Sequence, residues 1–561
     1  MLPPRSLLPK MDRRCFLATG VGAWLTRSWL RGAEPEPVVL PDDHQAAVRQ
    51  RRRRIVMQYD ANDVVMSYWK LHPDGRAAFE PFREALFAYV DEPGSQVDAI
   101  WWDIEGSPLG SAYPSKVLLP VDDPLVRQWL DAGIDWVEQL VAETRRRKRE
   151  VFWNHRICEV EFVPGVGHSK TPHPLKVQHP DWVVAADWWP HGTWNLAAEG
   201  LRAYKVAILR ELTTRYDFDG LQIDFSRHIP CLPVGRQWEL RESVTEFLRE
   251  VRRMTLEVAA QRGRPLLLAA KVPQTIDGCH ADGFDVRAWA EQRLVDILTL
   301  GSRTMDVDVE GVRAAVGKDV QLQPCFDDHH ATDGYRHGPI EFLRGVFANH
   351  WQRGANSVVT FNWSIGTPEV CRAMGSEVAP LAQGEAYREV GDLATMAGKD
   401  KFFAVERRGG YPWAQGFFNR NDTAPLPKRL EQGETPVRFT VHIADTPASK
   451  SSLLLRCVLF QAEENDSFVA RLNGVNLSLI TRDPEWKDAQ IFSPKPQPNS
   501  GGAGEYRINP QQKLLRLDFA VPVEAWKQGA NVAEVQLASR KPESGKTGVQ
   551  LEKLEAHLHY G

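Results

Sequence analysis

Short apolar runs alternate with longer amphipathic stretches over the first two thirds of the chain. Runs of about five to seven residues fall at Ile55–Tyr59, Val97–Trp102, Glu150–Trp153, Gly220–Phe225, Pro265–Ala270, Val295–Leu300, Val320–Pro324 and Ala355–Phe361. Each is bounded by polar, Gly or Pro residues, the pattern of a strand buried on both faces. Between them, Leu125–Arg147, Gly200–Tyr216, Gln237–Arg262 and Ile340–Gln352 repeat apolar residues at helical spacing. Eight such strands interleaved with helices predict a (β/α)8 TIM barrel over residues 55–367. A doubly wound open sheet is the competing arrangement. It calls for a Gly-rich phosphate loop after the first strand, and Tyr59-Asp60-Ala61-Asn62 is not one.

The period then changes. Residues 368–430 read as a linking region. From residue 431 to the end the runs alternate apolar and polar residues: Phe439–Ile443, Leu453–Gln461, Phe468–Leu472, Leu514–Phe519, Ala533–Leu537 and Leu554–Tyr560. Turn signals such as Asn473-Gly474 separate them, which predicts a C-terminal antiparallel β-sandwich of jelly-roll type. Such a module either binds glycans or braces the barrel, and the pattern does not separate the two.

At the other end, residues 1–33 carry Arg13-Arg14 ahead of a short apolar run and the small residues Gly32-Ala33. This resembles a twin-arginine export signal and predicts a periplasmic or extracellular protein. The polar leader 34–54 ends in Arg51–Arg54, read as a solvated entry to the first strand. Beyond the N-terminus no run of about 18 apolar residues occurs, so no membrane span is expected.

Composition narrows the function. The chain has 561 residues, 25% of them charged, and a formal net charge of -4, so no basic surplus points to nucleic acid. Its 19 tryptophans fit either a large aromatic core or flat platforms for sugar rings. The seven cysteines form no C-x-x-C pair, which argues against a zinc knuckle. Buried free thiols are expected, with Cys231–Cys279 the one disulfide considered.

In this fold the chemistry collects at the C-terminal strand ends and the loops after them. Those positions hold Asp60, then Trp102-Asp103, then Asn154-His155-Arg156 with Glu159 and Glu161 following. They continue with Asp224 and Arg227, Lys271, Asp306, Asp327-Asp328 and Asn362-Trp363. Burying so many polar groups without partners is costly, so a site is expected there. Asp224 leads, as a nucleophile or base oriented by a neighbouring cation. A second carboxyl group would be drawn from Asp328, Asp327, Asp306 and Glu161. Asp60, Trp102, Asp103, His155, Arg156, Arg227, Lys271, Asn362 and Trp363 would line the pocket. The cations His155, Arg156 and Lys271 raise the prospect of an anionic substrate. His329-His330 beside the two aspartates is the one arrangement that would suit a metal ion; no metal or other cofactor is expected.

The stretch Asp219-Gly220-Leu221-Gln222-Ile223-Asp224-Phe225-Ser226-Arg227 resembles the fourth strand of bacterial glycoside hydrolase-like (β/α)8-barrel proteins, a family-10-like group. Trp194-Asn195-Leu196-Ala197 and Gly283-Phe284-Asp285-Val286 with Trp289 and Leu294-Val295-Asp296 are similar to flanking segments of the same group. The resemblance covers about Ile55 to Trp363. It implies the barrel fold and hydrolysis of a glycosidic bond in an extracellular carbohydrate. After the third strand Arg156-Ile157-Cys158-Glu159 departs from the group's Arg followed by a Met-Asn-Asp-type run, which bears on substrate rather than fold. A glycan-binding barrel without catalysis, or a metal-assisted barrel enzyme of another class, are the alternatives.

Overall fold

Eight parallel strands close into a ring: β1 Ile55–Asp60, β2 Val97–Asp103, β3 Glu150–Arg156, β4 Gly220–Asp224, β5 Leu267–Val272, β6 Ile297–Leu300, β7 Gln321–Asp327 and β8 Val358–Phe361. Each strand pairs with its sequence neighbours, and β1 pairs with both β2 and β8 to close the barrel. The computed structural model describes residues 36–60, 79–104, 110–121, 123–163, 167–186, 189–301, 304–327, 334–335, 338–361, 363, 381–407, 424–433, 435–448, 450–491, 508–540 and 548–561. The segment read as an export signal therefore lies outside the described residues. From Val38 to the C-terminus the chain forms one compact unit.

The segment expected to be a solvated leader is instead part of the barrel. Helix α1, Asp42–Gln50, caps the N-terminal end, where Val48 and Ala47 pack on the interior cluster of Val56, Trp101 and Phe152. The arginine run has a physical cause. The strand starts carry carboxylates that need cations: Arg53, 6% exposed, grips Glu150 with Nε and Nη2 at 2.7 Å each, and Arg54 holds Asp98 at 2.9 Å. His44 of α1 and Arg252 converge on buried Asp296 at 3.0 and 2.9 Å.

Around the ring run α2 (Phe79–Asp91), α3 (Pro124–Asp131), α4 (Trp136–Arg146), α5 (Glu199–Arg215), α6 (Arg241–Arg262), α7 (Val309–Val316) and α8 (Ile340–Gln352). The stretch 125–147, expected as one helix, is two. Gly133 takes φ +79°, and Asp135 restarts the helix by accepting from the Glu138 amide. Among the described residues seven of the tryptophans are fully buried core: Trp101, Trp102, Trp129, Trp136, Trp153, Trp289 and Trp363. Cys158, Cys231, Cys279, Cys325 and Cys457 are free and buried, so the Cys231–Cys279 bridge does not form; Cys231 neighbours Cys158 instead.

The C-terminal strands are β9 Lys401–Ala404, β10 Lys428–Leu430, β11 Val437–Ile443, β12 Ser451–Phe460, β13 Ser467–Leu472, β14 Val475–Asn476, β15 Ser478–Asp483, β16 Leu514–Val521, β17 Gly529–Ser539 and β18 Val549–Tyr560. They form two antiparallel sheets, ordered β9-β18-β12-β16-β15 with β10 also on β18, and β11-β17-β13-β14. Strands β9 and β10 lie in the stretch read as linking. β9 docks on α8, where Gly345 leaves room for the Phe402 carbonyl. The sheets also grip the loop after β7: Lys553 donates to the Gly334 carbonyl at 2.8 Å, and the Tyr335 hydroxyl to Glu555 at 2.9 Å.

Candidate active site

Strand alternation fixes which side chains enter the barrel. An apolar interior cluster contains Val56, Ala99, Trp101, Phe152, Leu267, Ala269, Ile297, Cys325, Val359 and Phe361. Steps of two residues from these positions bring Gln58, Asp103, Asn154, Arg156, Lys271, Thr299 and Asp327 to the same face. Register adds Gln222 and Asp224, level with Asn154 and Arg156 on one side and with Ala269 and Lys271 on the other. The N-terminal half of the barrel is thus filled with hydrocarbon and the C-terminal half with polar groups.

The lower polar tier is a connected hydrogen-bond network. Gln222 Nε2 donates to Asn154 Oδ1 at 2.6 Å and to Gln58 Oε1 at 3.1 Å. The Thr299 hydroxyl donates to Gln222 Oε1 at 2.7 Å, and Asn154 Nδ2 to Asp103 Oδ2 at 3.0 Å. Lys271, 1% exposed, donates to Gln58 Oε1 at 3.1 Å and lies 3.7 Å above the Phe361 ring centre.

Above this tier stand the carboxylates. Arg156 Nε and Nη2 reach Asp103 Oδ2 at 2.9 and 2.8 Å. β4 ends at Asp224 and the chain turns back on it, so Asp224 Oδ1 accepts from the amides of Ser226 (2.9 Å) and Arg227 (3.0 Å). Its other oxygen, Oδ2, is buried and accepts no hydrogen bond among the described residues; Lys271 Nζ is 3.8 Å away. Asp327 is fully buried at the top of β7. The Cys325 thiol, pushed up to about 12 by burial, is also influenced by Lys271, Asp327 and Asp224, so those three side chains lie around one region of the barrel.

Several expected site residues are placed elsewhere. Glu161 is buried against Lys176 at 2.9 Å and accepts from the His173 amide, a structural pair within the loop after β3. Asp306 is half-exposed and paired with Arg353 at 2.8 Å on the outside of the ring. Trp102 faces the helices: its Nε1 donates to Thr144 Oγ1 at 3.1 Å and its ring packs on Phe87. His155 lies between the inward residues Asn154 and Arg156, so it takes the helix-facing side of β3. Trp363 donates to the Phe326 carbonyl and packs on Phe347 and Tyr387. Asp328, Asn362, His329 and His330 lie outside the described residues, as does the side chain of Asp60.

Glu159, noted after the third strand but not chosen as a candidate for the second carboxyl group, sits beside the centre. His228 Nδ1 is 3.1 Å from its Oε1 and Arg156 Nη1 is 3.5 Å from its Oε2. Burial alone would raise its pKa, but His228, Arg156 and Arg227 hold it well below the usual carboxylate range. Burial in turn pushes the His228 pKa down. His228 adopts φ +57°, in the left-handed region that histidine enters more readily than most residues, with the edge of Trp189 against its ring. The Arg156-x-x-Glu159 spacing was the available signal, but sequence gave no means of preferring Glu159 to Glu161.

The class this defines is a (β/α)8 barrel with a charged, carboxylate-rich C-terminal mouth. No family model matches the chain, and no curated protein does. Among solved structures, the glycoside hydrolase domain of PgaB (BpsB) from Bordetella bronchiseptica is 14% identical with a TM-score of 0.40, the match covering 61% of this chain and 99% of that one. Alpha-L-fucosidase isoenzyme 2 from Paenibacillus thiaminolyticus is 12% identical with a TM-score of 0.38, over 63% of this chain. The chain spans about half of that fucosidase, 52% of its length. A chitinase from Chromobacterium violaceum is 12% identical with a TM-score of 0.33, over 58% of this chain and 99% of that one.

Proposed function

We propose that the barrel mouth hydrolyses a glycosidic bond, with Asp224 as nucleophile or base. The observation that carries this reading is the state of the Asp224 carboxylate. Two backbone amides hold Oδ1, while Oδ2 is left without a hydrogen-bond donor beside the Lys271 ammonium. A carboxylate so placed is oriented by the two amides and has one oxygen free to react. Oδ2 either attacks the anomeric carbon or takes a proton from the attacking water. Asp327 is the preferred described partner, protonating the leaving oxygen, with Asp328 the adjacent candidate. A separation of about 5 Å between the reacting carboxyl groups gives retention and about 6.5–9.5 Å gives inversion. The twin-arginine segment supports a substrate met outside the cytoplasm.

The test uses the full-length protein against a panel of polysaccharides, with released reducing ends measured. The wild type is expected to release product from at least one of them. Asp224→Asn should abolish turnover while keeping the fold and glycan affinity. Full activity in that variant would remove the mechanism, and glycan binding by the wild type without any product would favour a non-catalytic binding barrel.

A further inference from the structure

The basic side chains around the mouth are almost all spoken for. Arg156 is bound to Asp103 and approaches Glu159; Lys271 is held by Gln58 and Phe361; His228 sits on Glu159. These pairings take Arg156 and Lys271 out of the set first considered for an anionic substrate. Arg227 differs. Among the described residues its guanidinium has no ion pair and no side-chain hydrogen bond, and its Nε is buried without a partner. Glu159 is close enough to feel its charge, yet is already shared by His228 and Arg156.

Arg227 is also anchored. Its own amide donates to Asp224 Oδ1 at 3.0 Å, so its main chain is tied to the carboxylate proposed to react. A guanidinium carries five donors in a planar fork that matches a carboxylate or sulfate bidentately. A half-buried fork with a dry, unpaired Nε gains most from a partner that arrives as an anion.

We propose that Arg227 binds an acidic substituent, a carboxylate or sulfate group, on the sugar unit seated beside Asp224. This rests on the reading of the mouth as a carbohydrate site, and it names the substrate class as an acidic glycan. A sugar with its anomeric carbon at Asp224 Oδ2 would present a ring substituent toward the turn that carries Arg227.

Binding of short oligosaccharides to the full-length protein by titration calorimetry tests it. The probes are oligogalacturonate and oligoglucuronate, a sulfated galacto-oligosaccharide, and their neutral counterparts. The wild type should bind one acidic probe roughly tenfold or more tightly than its neutral partner, as expected for a charge-assisted bidentate contact. Which acidic probe wins separates carboxylate from sulfate. In Arg227→Met the preference should collapse to about twofold or less, with Arg227→Lys keeping part of it through its charge. Circular dichroism of both variants checks the fold. Equal binding of acidic and neutral probes by the wild type, or an unchanged ratio in Arg227→Met, overturns the proposal. Hydrolysis of a neutral glycan with no acidic preference would refute this inference alone. An Arg227-dependent preference without hydrolysis would refute the proposed catalysis alone.

Discussion

Replacing Glu406 by Gln should stabilise the protein, and do so only above acid pH. Glu406 follows β9 and meets the loop after β6, where the Thr304 hydroxyl donates to its Oε2. Burial pushes its pKa from 4.5 up to about 8; the nearby Asp306 charge adds to this, while the Thr304 hydroxyl and the amides of Met305 and Asp306 work against it. The folded carboxyl is therefore neutral at pH 7, while in the unfolded chain it is ionised. Below about pH 4.5 both states hold the proton and the group contributes no difference. As pH rises from there to 8, only the unfolded state releases it, so stability falls by about 1.4 kcal/mol per pH unit and then levels off. At pH 7 the accumulated cost is about 3 kcal/mol. That figure is a ceiling, because the residue keeps a little contact with solvent. Glutamine preserves an acceptor for Thr304 and cannot ionise. Guanidinium denaturation of wild type and Glu406→Gln, followed by tryptophan fluorescence at pH 4.5, 6, 7 and 8, measures the difference. The two should coincide at the lowest pH and diverge toward pH 8. A pH-independent difference, or one that shrinks as pH rises, would show that the carboxyl is ionised in the folded state and refute the reasoning.

Two further substitutions probe the frame that carries the mouth. Glu150→Gln leaves the buried Arg53 guanidinium without its carboxylate and should cost about 3–5 kcal/mol in denaturation at pH 7; a loss under about 1 kcal/mol would mean the pair is dispensable. Gly345→Ala places a methyl group against the Phe402 carbonyl where β9 docks on α8 and should cost about 1–3 kcal/mol, with faster proteolytic cleavage near residue 400; an unchanged cleavage rate would mean β9 is not held there.

The barrel was legible because its signal is local. Each strand is a short apolar run, and all eight runs become strands within a few residues of their expected limits. The sandwich strands were legible from their alternation for the same reason. What escaped depends on partners distant in sequence. The Arg51–Arg54 run looks like solvated surface until Glu150, about a hundred residues on, is brought against Arg53. Strand β9 has only four residues, and its pairing with β18 joins Lys401 to Leu558. At the mouth, Asp103, Arg156, Asp224, Lys271 and Asp327 could be proposed from strand-end positions, because alternation decides the face. Trp102, His155 and Trp363 failed on that same alternation or just past a strand end, where parity no longer holds. Glu159 and Glu161 are two residues apart in one loop; only tertiary contacts give one to Lys176 and the other to His228.

The division of the barrel interior argues for its use. Hydrocarbon fills the N-terminal half and would serve equally well in the C-terminal half if packing were the only demand. Instead Gln58, Asn154, Gln222, Lys271 and Thr299 occupy that space as a nearly continuous network, which is neutral to stability at best unless its members are satisfied. The network ends on Asp103 through Asn154, and Lys271 carries it to within 3.8 Å of Asp224. Carboxylate positions are thereby coupled across the barrel through groups that cannot rotate without breaking a bond. Asp224 Oδ2 and Arg227 Nε are among the buried polar atoms without a hydrogen-bond partner, one an acceptor and the other a donor. A ligand that supplies a proton or an electrophilic carbon to the first and an anionic oxygen to the second would complete both at once. That complementarity links the proposed chemistry at Asp224 to the proposed preference at Arg227.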